Sequence, residues 1–420
     1  MVRILTSREA GRLLKRRAAR LDEAEAVVKP ILEDVRRRGD AAVLEYARRF
    51  DGFDGRSVRV SERELAAAAR GLAREFRKAL RVSEKNVAAF ARMQLPPPRR
   101  IAPAPGLKLS QIVRPLDAAA AYIPSGRYPL PSTVVMTVVP ARVAGVETIL
   151  VCTPKPAPEI LGAAHLLGAT HVFQMGGAHA IAAFAYGTKT VPRADRIVGP
   201  GNIYVAAAKK LLAGEVGIDF IAGPSEILLI AADGDPRAIA ADMLAQAEHD
   251  DDASAILLTP SRRLAEAVAK EVAAQLESLP TAATARTALK RNSAILVVSS
   301  LEEAVELSNR FAPEHLSIPD ASLLKNVRHA GSVFVGPWSP EAAGDYASGP
   351  NHVLPTSGAA RLRGGLSAAD FVKVISVQEL SEQALRRLAP SITALARAEG
   401  LEAHARSVEV RFEKKGGRRC

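Results

Sequence analysis

A chain of 420 residues exceeds what one hydrophobic core usually organises, so at least two domains are expected. Its 48% hydrophobic and 24% charged residues are typical of a folded globular protein and exclude a disordered or fibrous one. The net charge of +12 lies mostly in residues 1–50 and 414–419 and comes without a helix-turn-helix, zinc-knuckle or aromatic–basic RNA motif, which argues against a nucleic-acid partner.

The sequence contains no recognisable targeting signal or membrane span. The N-terminus lacks the apolar segment and cleavage site of a secretory signal, and Cys152 and Cys420 are too few for a disulfide framework. The apolar stretch at residues 130–141 contains Pro131 and Pro140 and is too short to cross a bilayer. We therefore expect a cytoplasmic protein that does not contact a membrane.

The opening of the chain has helical periodicity. Apolar residues recur at helical spacing from Ser7 to about Phe50, and a second helical block runs from Ser61 to about Met93. The proline run 96–98 then starts an extended segment.

From Val113 onward, short β-branched runs alternate with helical stretches, which predicts an α/β protein with parallel sheets covered by helices. The strand-like runs are 149–151, 196–198, 227–231, 255–258, 294–298 and 333–335. A helical C-terminal segment is expected from Ser367.

Two short polar motifs can carry chemistry. Gln246 and His249 stand three residues apart in a helical pattern, which places both side chains on one helix face within reach of one ion. A surface pair without function has the same pattern. Glu314 and His315 put an acid beside a base, so a carboxylate can activate water while an imidazole handles an alcohol proton. A pair at a helix end explains that sequence equally well.

Further acids and imidazoles follow toward the C-terminus. Asp345 and His352 belong to a polar, glycine-rich loop of the kind that carries function, although a lone loop aspartate is usually a turn former. Glu399 and His404 lie in the C-terminal helical pattern. A set of glutamine, histidine and aspartate donors suits zinc, but spacing alone does not bring these residues together.

No G-x-G-x-x-G fingerprint follows a strand in this sequence. Two glycine turns, residues 176–179 and 199–202, each follow a strand-like run and precede a helix, where free backbone N–H groups can hold a pyrophosphate. Tight strand-to-helix turns look the same, so the residues alone leave the dinucleotide site open.

Taken together, these segments closely resemble the histidinol dehydrogenase family, from the N-terminal helices to about Arg411. The strings that carry the resemblance, in the family's order and approximate spacing, are Tyr122-Ile-Pro, Gly176-Gly-Ala, Gly199-Pro-Gly-Asn202, Ala222-Gly-Pro-Ser225-Glu, Gln246-Ala-Glu-His249, Ala312-Pro-Glu-His315-Leu and Gly344-Asp-Tyr-Ala-Ser-Gly. The resemblance implies oxidation of L-histidinol through the aldehyde to L-histidine with two NAD, the last step of histidine biosynthesis.

The resemblance also assigns the site residues. The implied zinc ligands, which also contact substrate, are Gln246, His249, Asp345 and His404. The further substrate contacts are Ser225, His315, His352 and Glu399, and the implied NAD contacts are Tyr122, His179 and Asn202. In the implied mechanism His315 takes the alcohol proton, and Glu314 activates the water that attacks the aldehyde.

The fold implied by the resemblance is two Rossmann-like parallel-sheet domains with helical N-terminal and C-terminal segments. The expected division is residues 1–20 as an N-terminal helical extension, 21–121 with 225–366 as a first α/β domain carrying zinc and the catalytic residues, 122–224 as an NAD-binding domain, and 367–420 as a helical tail. The family is a homodimer in which this tail completes the partner's active site, so a monomer is expected to be inactive.

Two departures from the family pattern fall in the NAD region. His179 stands where the family usually has Gln, and Pro124-Ser125-Gly126 stands where it usually has Pro-Gly-Gly. We expect these changes to alter cofactor affinity by about 1 kcal/mol, the size of one neutral hydrogen bond, and not to abolish it.

Two other functions are compatible with parts of the pattern. One is a paralogous zinc- and NAD-dependent dehydrogenase that acts on another polar alcohol, against which the retained substrate-contacting residues argue. The other is a zinc-binding structural protein without chemistry, against which the intact acid–base pair argues.

Overall fold

The fold is described from a computed structural model, which covers residues 2–13, 21–125 and 128–413. The strands are β1 (Arg3–Thr6), β2 (Arg99–Ala104), β3 (Leu107–Pro115), β4 (Ala118–Tyr122), β5 (Thr148–Thr153), β6 (His171–Gln174), β7 (Arg196–Val198), β8 (Gly217–Ile218), β9 (Glu226–Ile230), β10 (Ser254–Thr259), β11 (Ala294–Val297), β12 (His315–Ile318), β13 (Ser332–Val335) and β14 (Val372–Leu380). The α-helices are α1 (Leu21–Arg38), α2 (Asp40–Tyr46), α3 (Glu62–Gly71), α4 (Arg74–Gln94), α5 (Pro131–Ala144), α6 (Pro158–Leu167), α7 (Gly177–Tyr186), α8 (Ile203–Leu212), α9 (Pro236–Ala247), α10 (Arg262–Ser278), α11 (Ala282–Asn292), α12 (Leu301–Phe311), α13 (Glu341–Tyr346), α14 (Glu382–Ala398) and α15 (Glu402–Glu409).

The chain forms two compact units. The first comprises residues up to 95 together with 116–371, and the second comprises 96–115 together with the residues from 372 onward. No helix in the described ranges is long and apolar enough to cross a membrane.

The first unit contains two parallel sheets with the same strand order. One has the order β6-β5-β4-β7-β8, and the other has β11-β10-β9-β12-β13 with β1 added beside β11. Counted along the chain within each sheet, both read 3-2-1-4-5, which is the Rossmann order. Their central strands are buried because helices cover both faces, as the apolar runs of β5 and β10 require. The predicted α/β fold with two Rossmann-like sheets is confirmed.

The N-terminal segment differs from its prediction. Residues 3–6 form β1, which pairs in parallel with β11, where the sequence analysis expects helix. A four-residue strand carries no periodicity to identify it, and pairing with the sheet edge decides its conformation. A 3₁₀ helix, Ser7–Arg12, follows, and residues 14–20 lie outside the described residues.

Helices α1 to α4 pack against helices of the five-stranded sheet. Helix α1 contacts α7 and α8, α3 contacts α6, and α4 contacts α5. Buried residues of α1 such as Val28 and Val35 belong to the same apolar cluster as Phe184 of α7. This packing differs from the expected grouping of residues 21–121 with 225–366, although the division into folding domains itself stays a prediction.

The second unit consists of an antiparallel sheet and two helices. Its strand order is β14-β3-β2, and α14 packs on α15. The expectation of a helical tail over 367–420 is wrong for β14, whose sequence Val-Lys-Val-Ile-Ser-Val-Gln-Glu-Leu is rich in β-branched residues, and which pairs along its whole length with β3. The helical part begins at Glu382.

Candidate active site

Glu314 and His315 lie side by side at the amino end of β12, and both are buried. In the parallel pairing of β12 with β9, His315 stands opposite Ile227. These two strands flank the point where the strand order reverses. Ligands of Rossmann-like sheets usually bind at the carboxyl ends of such strands, so the acid–base pair occupies the opposite edge.

The imidazole of His315 lies among carboxylates. Its Nδ1 donates to the backbone carbonyl of Glu226 at 3.1 Å and lies 3.1 Å from Oε1 of Glu341. Its Nε2 has no hydrogen-bond partner among the described residues and lies 3.7 Å from Oδ1 of Asp345. Burial lowers the pKa of His315, but the charges of Glu341, Glu314 and Asp345 outweigh it and raise the pKa to about 10.

The carboxyl group of Glu314 is tuned toward neutral pH. Its Oε2 accepts the backbone N–H of Glu226 at 2.8 Å and lies 3.7 Å from Nδ1 of His315. Burial raises the pKa of Glu314 to about 7, because the positive charge of His315 and this hydrogen bond offset only part of the desolvation. A carboxyl group with this pKa suits a general base at neutral pH.

Glu341 is a buried site residue that the sequence analysis missed. It is the first residue of α13, and its carboxylate faces both His315 and the side-chain amide of Gln246. Burial raises the pKa of Glu341 to about 8. His315, Glu341 and Asp345 offer ligand atoms within 4.8 Å of one another. The spacing of Glu341 and Asp345 was the available signal, because residues four apart share a helix face.

Phe334 and Gly344 support the imidazole. The ring of Phe334 lies 5.9 Å from that of His315, centroid to centroid. A Cβ on Gly344 would lie 2.6 Å from Cε1 of Phe334, closer than real Cβ atoms approach, so the backbone of α13 reaches this ring only through a glycine. The close contact between Gly344 and Phe334 therefore fixes the position of the Phe334 ring beside His315.

The two predicted ligands of α9 are placed differently. Gln246 is buried in the last turn, while His249 is exposed and lies two residues beyond the helix end. The prediction that both side chains share a helix face is therefore wrong for His249. Burial raises the pKa of the nearby Asp345, but the interaction with His315 lowers it on balance, and positive charge on His352 or His249 acts in the same direction.

His352 and Ser225 border the same region. Nδ1 of His352 donates to the backbone carbonyl of Asp345 at 2.9 Å, and Nε2 lies 3.3 Å from Oγ1 of Thr133. Burial lowers the pKa of His352, although the charge of Asp345 opposes this shift. Ser225 directly precedes β9, and its neighbour Glu226 contacts Glu314 and His315 through its backbone.

Glu399 and His404 belong to the second compact unit. Glu399 follows the last turn of α14, and His404 lies in α15. Both side chains are exposed in the single chain.

The predicted NAD contacts follow the carboxyl ends of β4, β6 and β7. The hydroxyl of Tyr122 accepts the N–H of Gly177 at 3.2 Å, and Nε2 of the buried His179 donates to Asp51 Oδ2 at 3.0 Å. The exposed Asn202 caps α8. Within the two glycine turns, the backbone N–H groups of residues 176, 177 and 199 already donate to side chains.

An open cavity of about 490 Å³ lies beside this carboxyl edge. Its lining includes Asp51, Ser125, Tyr128, Lys155 and Gln174. The hydroxyl of Ser125 accepts the backbone N–H of Lys155 at 2.9 Å, which orders the loop at the departure from the family's glycine. The neighbouring residue 126 lies outside the described residues.

Comparison with known proteins decides the family. The family model described as histidinol dehydrogenase matches residues 14–412. The chain belongs to the histidinol dehydrogenase family. It is 48% identical to the histidinol dehydrogenase of Geobacter sulfurreducens over 402 residues, 93% of this chain and 94% of that one. It is 46% identical to the histidinol dehydrogenase of Bacillus cereus over 92% of both chains.

A solved structure supports the same conclusion. The histidinol dehydrogenase of Elizabethkingia anophelis superposes with a TM-score of 0.93 at 36% identity and covers 98% of both chains. Members of this family are oxidoreductases, so the chain is an enzyme of that class.

Proposed function

We propose that the protein oxidises L-histidinol through L-histidinaldehyde to L-histidine, the last step of histidine biosynthesis. Family membership over residues 14–412 supports the reaction. The observation that carries it is the buried acid–base pair, in which Nε2 of His315 has no hydrogen-bond partner among the described residues and Glu314 titrates near neutral pH. One group is thus available for the alcohol proton and the other for water.

We propose zinc as the metal, held by Gln246, His249 and Asp345 and by His404. Nitrogen and oxygen donors of this kind suit zinc. The fit is supported by the half-buried carboxylate of Asp345, which lies with His315 and Glu341 in one cluster of possible ligand atoms. When bound, zinc would orient the substrate's amino and imidazole groups.

The protein's own groups carry the protons. In the first oxidation Nε2 of His315 accepts the proton of the alcohol while carbon passes a hydride to NAD. Glu314 then takes a proton from water, which attacks the aldehyde carbon, and a second hydride transfer to a second NAD yields the carboxylate. Without a metal ion the nearby carboxylates raise the pKa of His315 to about 10, which keeps the ring protonated and unable to accept the alcohol proton. A cation bound at Asp345 would offset these carboxylates and lower that pKa, and Nε2 would accept the proton in that state.

We propose that NAD binds at the carboxyl edge of the five-stranded sheet, beside the 490 Å³ cavity. Asn202 is exposed and available for direct contact. Tyr122 and His179 are 4% and 1% exposed, so we propose that they act on NAD by fixing the turn at residues 176–177.

We propose a cytoplasmic homodimer with shared active sites. His404 and Glu399 are exposed in the single chain, as groups that serve another subunit must be. A partner's pair of this kind would complete the site formed by Gln246, His249 and Asp345.

The test is NADH formation from L-histidinol and NAD⁺ with zinc present, together with a count of NADH per histidine. Two NADH per histidine supports the four-electron reaction. Absence of turnover with zinc still bound favours the paralogue that oxidises another polar alcohol. His315→Ala should abolish turnover and keep zinc, whereas His165→Ala, at a half-buried histidine away from the site, serves as the matched control.

A further inference from the structure

Glu341 contacts two groups with different roles. It is 4% exposed and begins α13, which packs against α9, the helix that ends near Gln246. One carboxylate oxygen, Oε1, lies 3.1 Å from Nδ1 of His315. Both oxygens face the side-chain amide of Gln246, and hydrogen bonds form when the amide nitrogen is turned toward them, with Oε2 at 3.2 Å and Oε1 closer.

We propose that Glu341 is a positioning residue that sets the proton-transfer group and a metal ligand at the same time. By placing a carboxylate oxygen 3.1 Å from Nδ1 of His315, it favours the hydrogen on Nδ1 and leaves Nε2 for the substrate proton. By accepting the amide N–H of Gln246, it leaves the amide oxygen for the metal. This inference rests on the proposed function.

The imidazole of His315 is held in one tautomer by its neighbours. Nδ1 of His315 also faces the backbone carbonyl of Glu226 at 3.1 Å, and a carbonyl only accepts, so the hydrogen is on Nδ1. In the neutral ring the lone pair is then on Nε2. Glu341 adds a second acceptor to Nδ1 and stabilises the same tautomer in a buried site.

The side-chain amide of Gln246 is held in one orientation by Glu341. Gln246 is fully buried, and a carboxylate offers only acceptors, so hydrogen bonds form only when the amide nitrogen faces Glu341. The amide oxygen then points away from Glu341. Partners that orient a metal ligand in this way typically contribute about 10- to 100-fold in metal affinity or activity.

The test exchanges the carboxylate and the amide between positions 341 and 246. E341Q replaces the carboxylate by an amide, which has only one acceptor oxygen. That oxygen can serve the Nδ1–H of His315 or the amide N–H of Gln246 but not both, so one of the two side chains loses its orientation. In the double variant Q246E/E341Q the introduced amide donates to the carboxylate at 246 and accepts from His315, while the carboxylate keeps an oxygen for the metal. E266Q, at an exposed carboxylate of α10, is the matched control.

The full-length protein is compared in three assays: zinc affinity by competition with a chelator, kcat and KM with L-histidinol, and thermal unfolding. We expect E341Q to lose about 10- to 100-fold in zinc affinity or kcat. In whichever of these two quantities E341Q is impaired, the double variant should exceed E341Q by at least about tenfold. E266Q should match the wild type in all three.

Each outcome decides the inference. E341Q with wild-type zinc affinity and kcat overturns it, and so does a folded double variant that recovers neither quantity, because a merely structural role predicts no recovery. If E341Q does not fold, the double variant decides alone: zinc binding supports the inference, and failure to fold or bind contradicts it. A wild type that binds no zinc and leaves histidinol unchanged refutes the proposed function, whereas an active wild type with unaffected variants refutes only the role of Glu341.

Discussion

Replacing Gly344 by alanine tests whether the packing beside His315 controls the reaction. The new Cβ would lie 2.6 Å from Cε1 of Phe334. Ordinary carbon–carbon contact needs about 3.5 Å, so the ring or helix α13 must move by about 1 Å. The ring lies against His315, with centroids 5.9 Å apart, so the displacement reaches the imidazole.

The expected magnitude follows from that displacement. Overpacking of this kind costs about 1–3 kcal/mol of stability. A misplacement of about 1 Å in a catalytic geometry costs about 100-fold in rate. We therefore expect G344A to lose about two orders of magnitude in kcat with histidinol while it remains folded, as judged by thermal unfolding.

The control and the rescue make the result specific. Gly71 has open space around it, so G71A should leave kcat unchanged. Adding Phe334→Leu to G344A makes room for the methyl group and should recover part of the rate. A G344A enzyme with wild-type kcat, or one that loses stability without losing rate, would refute the coupling between Gly344 and His315.

Four further outcomes are expected. Because burial raises the pKa of Glu314 to about 7 and its ionised form activates water, oxidation of histidinaldehyde should slow as the pH falls below about 7, and E314Q should lose both this pH dependence and about 10²- to 10⁴-fold in rate. Because the pKa of Glu314 is higher in the folded state than its ordinary value of 4.5, the free energy of unfolding falls as the pH rises from 4.5 through about 7. The neutral side chain of E314Q avoids this loss, so E314Q should resist urea better than the wild type at pH about 8. Lys209 and Asp219 form a buried ion pair at 2.6 Å. K209M would leave the buried carboxylate without its cation, so it should lower the free energy of unfolding, measured in urea, by about 3–5 kcal/mol. A decrease below about 1 kcal/mol would contradict this expectation. If the active sites are shared between subunits, mixing and refolding inactive H315A with inactive H404A should restore about a quarter of wild-type turnover. The reason is that half of a random set of dimers contain one of each variant, and each such dimer has one intact site out of two. No recovery of turnover would contradict shared sites.

The sequence predicts the parts of the fold whose signals are local. The apolar runs of β9 and β10 identified buried parallel strands because both faces of such strands are covered. Strand β1 was missed because its pairing partner, β11, lies almost three hundred residues away along the chain. Strand β14 was missed because its alternation lies beside a strong helical pattern.

The site residues divide in the same way. Glu314 and His315 were found because they are adjacent in sequence, and the structure places them together with Asp345. Glu341 was missed because its importance comes from contacts with residues on other elements. Asp51, which accepts hydrogen bonds from His179 and from the N–H of residue 176, was missed for the same reason.

The position of the acid–base pair at the amino edge of the six-stranded sheet has a practical consequence for labelling the protein. The loops that follow β9, β10, β11 and β12 at the opposite, carboxyl edge contain none of the proposed site residues, whereas the segment after β13 contains Glu341 and Asp345. In the loop after β9, Asp233 and Gly234 are exposed, while Asp235 must be kept because its side chain caps α9, the helix that leads to Gln246. A fluorophore or affinity peptide inserted between residues 233 and 234 would therefore label the protein at the edge of the sheet opposite Glu314 and His315.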